Sequence, residues 1–594
     1  MLHDLAGGFL IPYERYVKLI SLSSTSTLGT VRAKMVLLPQ FIASLLSFSY
    51  GPWFQSTLAP ALNEIQTTST PHPAPQPNIT KSIAIVGGGS AGLAILKTLL
   101  DLPEEVRSTW NIVLYEQRHD IGGVWLADSH PPHPPALPET PLYPRLNTNT
   151  PHPTMTYPGN PFPPNTPLFP GWEYMQQYHV DFAERHNLTS HIRVNHTVVA
   201  AGWHGNHVEG KWEIELARTD SSTPAGTFHE FFDHLIVGNG HNHYPRVPHW
   251  DGEEEWLESS PEGTSKREIQ HSIFYREPER YINRTVLIVG GGASGRDAAI
   301  QVSELATVYQ SLREGTEPPP EANVIVKPPI SRFTKDAIIF EDNSSLTSID
   351  SIILATGYQS IVPFLSRLPS NSNLTTPPLI YSPHTETNST TAPHLTTNTR
   401  YIFPLYQDIF SLSPSHPPTS LTFIGLPILI ANCPSDIAQS LLITHAILDP
   451  SLLPSPTQML QTLLTHEASR RHQGYDPYYV GHKMVGGDTE AQDYQDELVR
   501  YLKERGKLPD DGKRYVEEWR RRGRRDSRLL SRAWARVQAG GKGKEKEWLE
   551  GVETEEEWAD LMQRLTVWQE RWESKHGGSP GETLDDGVED YGLY

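Results

Sequence analysis

The 594-residue chain has a formal net charge of −20 and a sequence pI near 5.7, which argues against a nucleic-acid partner because basic side chains are not in excess. Its single cysteine, Cys433, excludes an intrachain disulfide framework, a cysteine-rich zinc site and a Cys-x-x-Cys redox pair. No metal site is predicted, and the length allows several domains with a large core.

Residues 1–80 are predicted to be a leader and linker. Within them, residues 36–48 form an apolar run that is shorter than the ~20 residues of a membrane span, although it fits the apolar region of a signal peptide. An untrimmed or wrongly predicted leader explains the run equally well, and membrane association is not otherwise indicated. Localisation is left open between the cytoplasm and the secretory pathway, which is favoured slightly by sequons at Asn78, Asn187, Asn195, Asn283, Asn343, Asn373 and Asn388.

A glycine-rich turn follows the first predicted strand, residues 83–86. It has the pattern Gly-x-Gly-x-x-Gly and leads into a helix, with its glycines at Gly87, Gly89 and Gly92. Such glycines permit the tight turn, let the backbone approach a pyrophosphate and allow helix and strand to pack closely. The same stretch fits Gly-x-Ser-x-Gly, the nucleophile elbow of α/β-hydrolases, with Ser90 as nucleophile. Glu116 ends the next predicted strand, where a Rossmann fold places an acid on the adenosine ribose, and this favours a dinucleotide.

The region after Glu116 predicts loops that approach a ligand. Gly123 and Trp125 can bring backbone close to a flat ring system. A long proline-rich loop with Thr148 and Asn149 is typical of a functional or disordered segment. A helix over 171–185 and a β-rich insertion, at residues 192–199, 211–216 and 227–237, are predicted next.

The same strand, turn and helix recur after residue 285. The second copy has Gly290, Gly292, Ser294 and Gly295, and its next strand is followed by Arg313. An arginine there suits an adenosine 2′-phosphate, whereas an acid such as the one after the first copy suits free ribose hydroxyls. The first copy is therefore interpreted as an FAD site and the second as an NADPH site, with a solvated surface charge as the alternative for the arginine.

The last part of the chain changes in composition. A strand is predicted at 421–425 and a helix at 435–448, and charged helical stretches follow at 494–505, 513–524 and 545–575. The basic run at residues 520–525 is interpreted as a solvated helix face.

These motifs together, over residues 81–448, resemble the flavin-containing monooxygenases. The matching residues, in the family's order, are Gly87-x-Gly89-x-x-Gly92, Glu116, Gly122-Gly123-x-Trp125, Leu146-x-Thr148-Asn149-x-Pro151 with Met155, His271-Ser-x-x-Tyr275-Arg276, Gly290-x-Gly292-x-Ser294-Gly295, Ser311-x-Arg313, and Ala355-Thr356-Gly357-Tyr358 with Pro363-Phe-Leu365. The resemblance implies an α/β fold with two Rossmann-like dinucleotide-binding domains and a helical C-terminal extension. Its divisions would be an FAD domain at 81–245 and 351–450, an inserted NADP domain at 246–350, and a charged helical region at 451–594.

The resemblance also implies a chemistry. NADPH would reduce the FAD, O₂ would add to give a C4a-hydroperoxyflavin, and one oxygen atom would pass to a soft nitrogen or sulfur nucleophile of small size. Asn149 is then expected beside the flavin as the catalytic residue, because an amide can hydrogen-bond a peroxide without being oxidised. The implied cofactor-binding set is Gly87, Gly89, Ser90, Gly92, Glu116, Gly123, Trp125, Thr148, Asn149, Tyr275, Arg276, Gly290, Gly292, Ser294, Gly295, Arg313 and Thr356.

Some residues depart from the family pattern. Its Phe-x-Gly before the histidine is replaced by Ser265 and Arg267, and its first Ala-Thr-Gly is Gly238-Asn-Gly240. These departures leave a flavin-binding protein without oxygenase activity as one alternative. A Baeyer–Villiger ketone monooxygenase is the other, although such enzymes have Trp and then Pro or Asp where this chain has Tyr275 and Arg276.

Overall fold

The computed structural model describes residues 79–219, 226–260, 266–370, 372–382 and 394–576. The chain divides into two units, residues 1–77 and 78–594. The first unit, with the signal segment predicted at 36–48, lies outside the described residues, as do residues 577–594.

All strands of the described ranges lie before residue 424, and most of the α-helices follow them. The strands of the described ranges are β1 (Lys81–Val86), β2 (Trp110–Tyr115), β3 (Ile192–Arg193), β4 (His196–Gly205), β5 (Gly210–Arg218), β6 (Phe228–Phe232), β7 (His234–Val237), β8 (Tyr244–Pro245), β9 (Glu268–His271), β10 (Thr285–Val289), β11 (Thr307–Ser311), β12 (Val324–Lys327), β13 (Ile330–Phe333), β14 (Ile338–Phe340), β15 (Ser345–Leu346), β16 (Ser351–Leu354), β17 (Tyr358–Gln359), β18 (Leu379–Tyr381), β19 (Leu395–Thr397), β20 (Ile402–Phe403), β21 (Leu405–Tyr406), β22 (Phe410–Ser411) and β23 (Leu421–Phe423). The α-helices of the same ranges are α1 (Ser90–Leu100), α2 (Glu104–Arg107), α3 (Trp172–Arg185), α4 (Glu253–Glu258), α5 (Ala293–Ser303), α6 (Asn432–Leu448), α7 (Pro456–His472), α8 (Pro477–Val480), α9 (Glu490–Glu504), α10 (Glu518–Arg525), α11 (Ser527–Ala539), α12 (Lys542–Leu549) and α13 (Glu555–His576).

The first sheet has seven strands in the order β21-β22-β23-β7-β1-β2-β3. Strands β23, β7, β1, β2 and β3 run parallel, and β22 and β21 are antiparallel additions at one edge. Successive residues of β1 point to opposite faces, so Ile83 and Ile85 join the cluster containing α1 and α6, whereas Ala84 and Val86 join the cluster containing β4 and β5. Burial on both faces explains the uninterrupted apolar run of this strand.

The second sheet has five parallel strands in the order β12-β11-β10-β16-β9. Its central strand, β10, is also buried on both faces: Val286 and Ile288 pack with α5, and Leu287 and Val289 pack on the other side with Trp256 of α4. Two parallel sheets, each with a central strand that runs into a glycine turn and a helix, confirm the α/β class.

The segments after residue 455 are helical. Helices α11 and α13 share a core that includes Trp534 and Trp558. The stretch expected to be helical over 545–575 is two helices, α12 and α13, because the chain turns at Gly551 with a φ of +73°. The stretch expected at 513–524 becomes helical only from Glu518, where α10 begins.

Candidate active site

The first glycine turn connects β1 to α1 and can be built only with glycine at two positions. Gly87 has a φ of +109°, and a Cβ there would lie 2.3 Å from the carbonyl oxygen of Gly238. A Cβ on Gly92 would lie 1.9 Å from the carbonyl oxygen of Gly87. The turn is therefore pressed against the end of β7, whose next residue is Gly238, and against the first turn of α1.

Glu116 supports this turn directly. Its carboxylate accepts hydrogen bonds from the backbone N–H groups of Gly88 at 2.7 Å and Arg118 at 2.8 Å. Burial raises the pKa of this carboxyl, although both hydrogen bonds oppose the rise. Gly89 begins α1 without a side-chain cap, so the first N–H groups of the helix are available to an anion. A Cβ on Gly89 would lie 3.5 Å from the Cα of Gly123, which is an ordinary van der Waals contact. The glycine turn therefore packs beside the segment that begins at Gly123.

Ser90 lies beside a carboxyl group. Its hydroxyl opposes the rise in the pKa of Asp436 of α6, and its own carbonyl oxygen accepts the Tyr157 hydroxyl at 2.7 Å. Asp436 is 1% exposed, burial raises its pKa to about 7, and its Oδ2 has no hydrogen-bond partner among the described residues. A nucleophilic serine needs a base such as histidine beside it, so the geometry favours the phosphate turn over the nucleophile elbow.

The second glycine turn repeats the first. Gly290 has a φ of +114°, and a Cβ there would lie 2.4 Å from the carbonyl oxygen of Ala355, while a Cβ on Gly295 would lie 2.3 Å from that of Gly290. Ala355 follows β16 as Gly238 follows β7 in the first sheet. Gly292 precedes α5 without a side-chain cap, and Ser294 is half-buried in the first turn of that helix.

Three predicted residues lie where the chain crosses between the two sheets. Arg276 donates to the carbonyl oxygens of Ile273 at 2.7 Å and Thr140 at 3.3 Å, and so ties the two halves together. The hydroxyl of Tyr275 bonds to Gln301 of α5 at 3.0 Å. Thr356 is buried and donates to the carbonyl oxygen of Arg246 at 2.6 Å.

Arg313 is half-buried, two residues beyond β11, at the carboxyl edge of the second sheet. Its guanidinium donates to the hydroxyl of Tyr479, in the short helix α8, at 3.3 Å. The tyrosine is 166 positions away along the chain, and no sequence pattern pointed to it.

The proline-rich loop packs against the C-terminal helices. Thr148 is buried, and its Oγ1 has no hydrogen-bond partner in the part of the chain that is described. Asn149 is exposed at its side chain, and its carbonyl oxygen accepts the Ser527 hydroxyl of α11 at 3.2 Å. Trp125 lies in a short 3₁₀ turn, Gly123–Trp125, at the border of the core around α1.

The interpretation of residues 520–525 as a solvated helix face is wrong for two of its arginines. Arg520 and Arg521 are buried, at 3% and 8% exposure. Arg520 donates to the carbonyl oxygen of Pro153 at 2.7 Å and to the Thr156 hydroxyl at 3.0 Å, and it pairs with Glu555 at 2.5 Å. Sequence reasoning missed this arginine because its partners come from distant segments of the chain.

Residues 80–317 and 321–374, which carry both glycine turns, match the family model described as FMO-like, flavin-binding monooxygenase-like. The chain belongs to the flavin-containing monooxygenase family. It is 27% identical over 466 residues to "Flavin-containing monooxygenase FMO GS-OX-like 8" of Arabidopsis thaliana, which spans 74% of this chain and 88% of that protein. It is 27% identical over 360 residues to "Senecionine N-oxygenase" of Tyria jacobaeae, spanning 59% of this chain and 68% of that protein.

A solved structure of similar fold is that of S-allyl-L-cysteine S-oxygenase from Allium sativum. It has a TM-score of 0.58 and 22% identity, and the likeness covers 82% of this chain and 99% of that one. As a member of the flavin-containing monooxygenase family, the present chain is an oxidoreductase that binds a flavin and oxygenates a small molecule with O₂. No helix in the described ranges combines the length and apolar character needed to cross a membrane. Those ranges also hold no cluster of three or more His, Cys, Asp or Glu side chains suited to a metal ion.

Proposed function

We propose that the chain is an NADPH-dependent FAD monooxygenase that adds one oxygen atom of O₂ to a soft nitrogen or sulfur nucleophile. The observation that carries the proposal is the repeated glycine turn. Each copy lies at the carboxyl end of a central parallel strand and packs tightly against the residue that follows a neighbouring strand. Each copy also leads directly into a helix whose N-terminus has no side-chain cap. Two such turns suit two dinucleotides. Relatives named for N-oxygenation and for thiol-specific oxygenation support the substrate class.

The first turn is assigned to FAD. Gly87, Gly89 and Gly92 form a turn without side chains. Glu116 accepts the N–H of Gly88 in this turn and is proposed to bind the adenosine ribose. Two buried polar atoms without partners among the described residues, Thr148 Oγ1 and Asp436 Oδ2, are consistent with a bound group that supplies hydrogen bonds. Ser90, Gly123, Trp125 and Asn149 complete the proposed FAD set.

The second turn is assigned to NADPH. Gly290, Gly292, Ser294 and Gly295 would receive the pyrophosphate at the start of α5, and Arg313 would receive the 2′-phosphate. Tyr275, Arg276 and Thr356 lie where the segments cross and are proposed to set the distance between the two cofactors. The corresponding domains are residues 81–245 with 351–450 for FAD, residues 246–350 for NADP, and 451–594 as the helical C-terminal region; residues 1–80 remain the proposed leader and linker.

Bound flavin supplies oxygen activation, and bound NADPH supplies two electrons. The protein's own task is to orient both cofactors and to keep water from the reacting atoms. Asn149 is proposed to present its amide to the reacting part of the flavin, because the segment around it is held by α10 and α11. The amide both donates and accepts hydrogen bonds without changing its charge.

One substitution separates cofactor binding from folding. Gly89→Ala places a Cβ at ordinary contact distance, 3.5 Å from Gly123, so the fold should tolerate it. The methyl would nevertheless intrude on the pyrophosphate, and we expect FAD affinity to fall by about tenfold or more, on the scale of one methyl forced into a filled site. Gly543→Ala, whose Cβ meets nothing within 4 Å, is the matched control.

The purified protein should show a flavin spectrum and NADPH-dependent O₂ uptake that an amine or a thioether increases. A ketone converted to an ester would favour the Baeyer–Villiger alternative instead. A colourless protein with esterase activity that is lost in Ser90→Ala would refute the FAD assignment altogether.

A further inference from the structure

Three arginines and one tyrosine come together at the carboxyl edge of the second sheet. Arg313 donates to the Tyr479 hydroxyl at 3.3 Å, and the guanidinium carbon of Arg400 lies 4.5 Å from the centre of the same ring. Arg246 donates to the carbonyl oxygen of Thr399, the residue before Arg400, at 3.2 Å and to that of Tyr358 at 3.4 Å. We call Arg246, Arg313, Arg400 and Tyr479 the arginine cluster.

The members of the arginine cluster are held by backbone contacts. Gly481 has a φ of +64°, and a Cβ there would lie 2.3 Å from the carbonyl oxygen of Arg400. Asn398 donates to the carbonyl oxygen of Tyr478 at 2.8 Å, and its Oδ1 accepts the N–H of Arg400 at 2.9 Å. The turn that carries Tyr479 is thereby fixed beside Arg400, although both residues lie beyond the part of the chain that matches the family model.

The positive charges of the cluster oppose one another. Burial, helped by the charge of Arg400, lowers the pKa of Arg246 to about 10. Burial and the charge of Arg313 lower the pKa of Arg400, whereas Tyr479 raises it. Within the described ranges, neither Arg246 nor Arg400 forms an ion pair with a carboxylate. Half-buried cations that repel one another are stabilised by an anion placed between them.

We propose that Arg400, Arg246 and Tyr479 join Arg313 in binding the 2′-phosphate of NADPH, so that Arg400 and Tyr479, two residues outside the family-matched part, contribute to the preference for NADPH over NADH. This inference rests on the proposed function. The 2′-phosphate is preferred to the pyrophosphate because Arg313, which contacts Tyr479 of the cluster, follows β11, where a Rossmann fold brings the adenosine ribose, whereas the pyrophosphate belongs at the start of α5. Guanidinium groups match the geometry of a phosphate, and the tyrosine hydroxyl adds a further donor.

Binding can be measured without turnover. The flavin-loaded enzyme is titrated calorimetrically with adenosine 2′-monophosphate and, separately, with adenosine 5′-monophosphate. We expect Arg400→Gln to weaken binding of the 2′-phosphate by about tenfold or more, the scale of one charge-assisted hydrogen bond, and to change binding of the 5′-phosphate by less than about twofold. Arg246→Gln should act in the same direction. Arg332→Gln, an exposed arginine on β13, is the matched control and should bind both nucleotides as the native enzyme does.

The outcomes separate this inference from the proposed function. An enzyme that prefers the 2′-phosphate but keeps that preference in Arg400→Gln would overturn the role of Arg400 and leave the NADPH assignment intact. A native protein that binds neither NADPH nor adenosine 2′-monophosphate would overturn the proposed function itself. The flavin spectrum and the melting temperature report folding of each variant. If Arg400→Gln does not fold, Tyr479→Phe decides, because it keeps the ring under Arg400 and removes only the hydroxyl; an unchanged preference there overturns the inference.

Discussion

Arg520 links the C-terminal helices to the loop that carries Asn149, and its removal should loosen that loop. It is 3% exposed and donates to Pro153 and Thr156 in the loop, while its remaining donors pair with Glu517 at 2.9 Å and Glu555 at 2.5 Å. Arg520→Met keeps most of the side-chain volume and removes every one of these hydrogen bonds. The oxygens of Pro153 and Thr156 and the carboxylates of Glu517 and Glu555 would all lose the arginine as a donor.

The expected loss in the free energy of unfolding depends on which of the partners of Arg520 water can reach. Breaking a buried ion pair by removing one member costs about 3–5 kcal/mol. The side chains of Glu517 and Glu555 are 40% and 20% exposed, so water replaces part of what the arginine supplied. The lower end, about 3 kcal/mol, is therefore expected. At a urea m-value of about 3 kcal/mol/M this lowers the unfolding midpoint by roughly 1 M.

Urea unfolding followed by tryptophan fluorescence measures this shift, because Trp519, Trp534 and Trp558 lie in the C-terminal helices. Arg525→Met, on the same helix but with an exposed side chain, is the control and should change stability by less than about 0.5 kcal/mol. Adding Glu555→Gln to Arg520→Met should recover part of the loss, since it removes the stranded charge. Equal unfolding midpoints for the native protein and Arg520→Met would refute the stabilising role of Arg520.

Three other side chains give separate tests. Arg313→Ala should raise KM for NADPH by about tenfold and leave KM for NADH nearly unchanged; an equal change for both cofactors would contradict its contact with the 2′-phosphate. Asn149→Ala should keep NADPH-dependent flavin reduction but release oxygen as H₂O₂, measured by a peroxidase-coupled assay, and an intact product yield would exclude its role. Burial raises the pKa of Asp436 from 3.8 to about 7. Its stabilising contribution is therefore full below pH 3.8 and is lost as the pH rises through 7, by up to about 4 kcal/mol; Asp436→Asn should flatten the pH dependence of melting, and an unchanged profile would contradict this pKa.

Features that depend on a short stretch of chain could be predicted from the sequence. The turns at Gly87 and Gly290 need glycine because a carbonyl oxygen occupies the place of a Cβ, and that requirement is visible as a spacing. The apolar runs of β1 and β10 predicted strands, and the structure has a strand at each, buried on both faces. Glu116 followed from the same logic, because the acid comes directly after a strand that pairs with β1.

Contacts between distant segments of the chain could not be predicted from the sequence. Asp436 is ordinary in composition, and only the packing of α6 against α1 places its carboxyl beside Ser90 and raises its pKa. The basic run at residues 520–525 looked solvated because a charge is normally exposed unless it finds partners. Arg520 finds them in Pro153 and Thr156 of the proline-rich loop and in Glu555 of α13, two segments that only the tertiary structure brings to the arginine.

The sequence by itself determined the two glycine turns, the α/β class and the order of the segments, because backbone geometry and the period of apolar residues are local properties. The tertiary structure decided which side chains surround those turns. The pairing of Arg313 with Tyr479 and the position of Arg400 depend on how helix α8 packs beside the second sheet, and such packing is set by the whole fold. Burial, which gives these charges their chemistry, exists only once the distant segments have met.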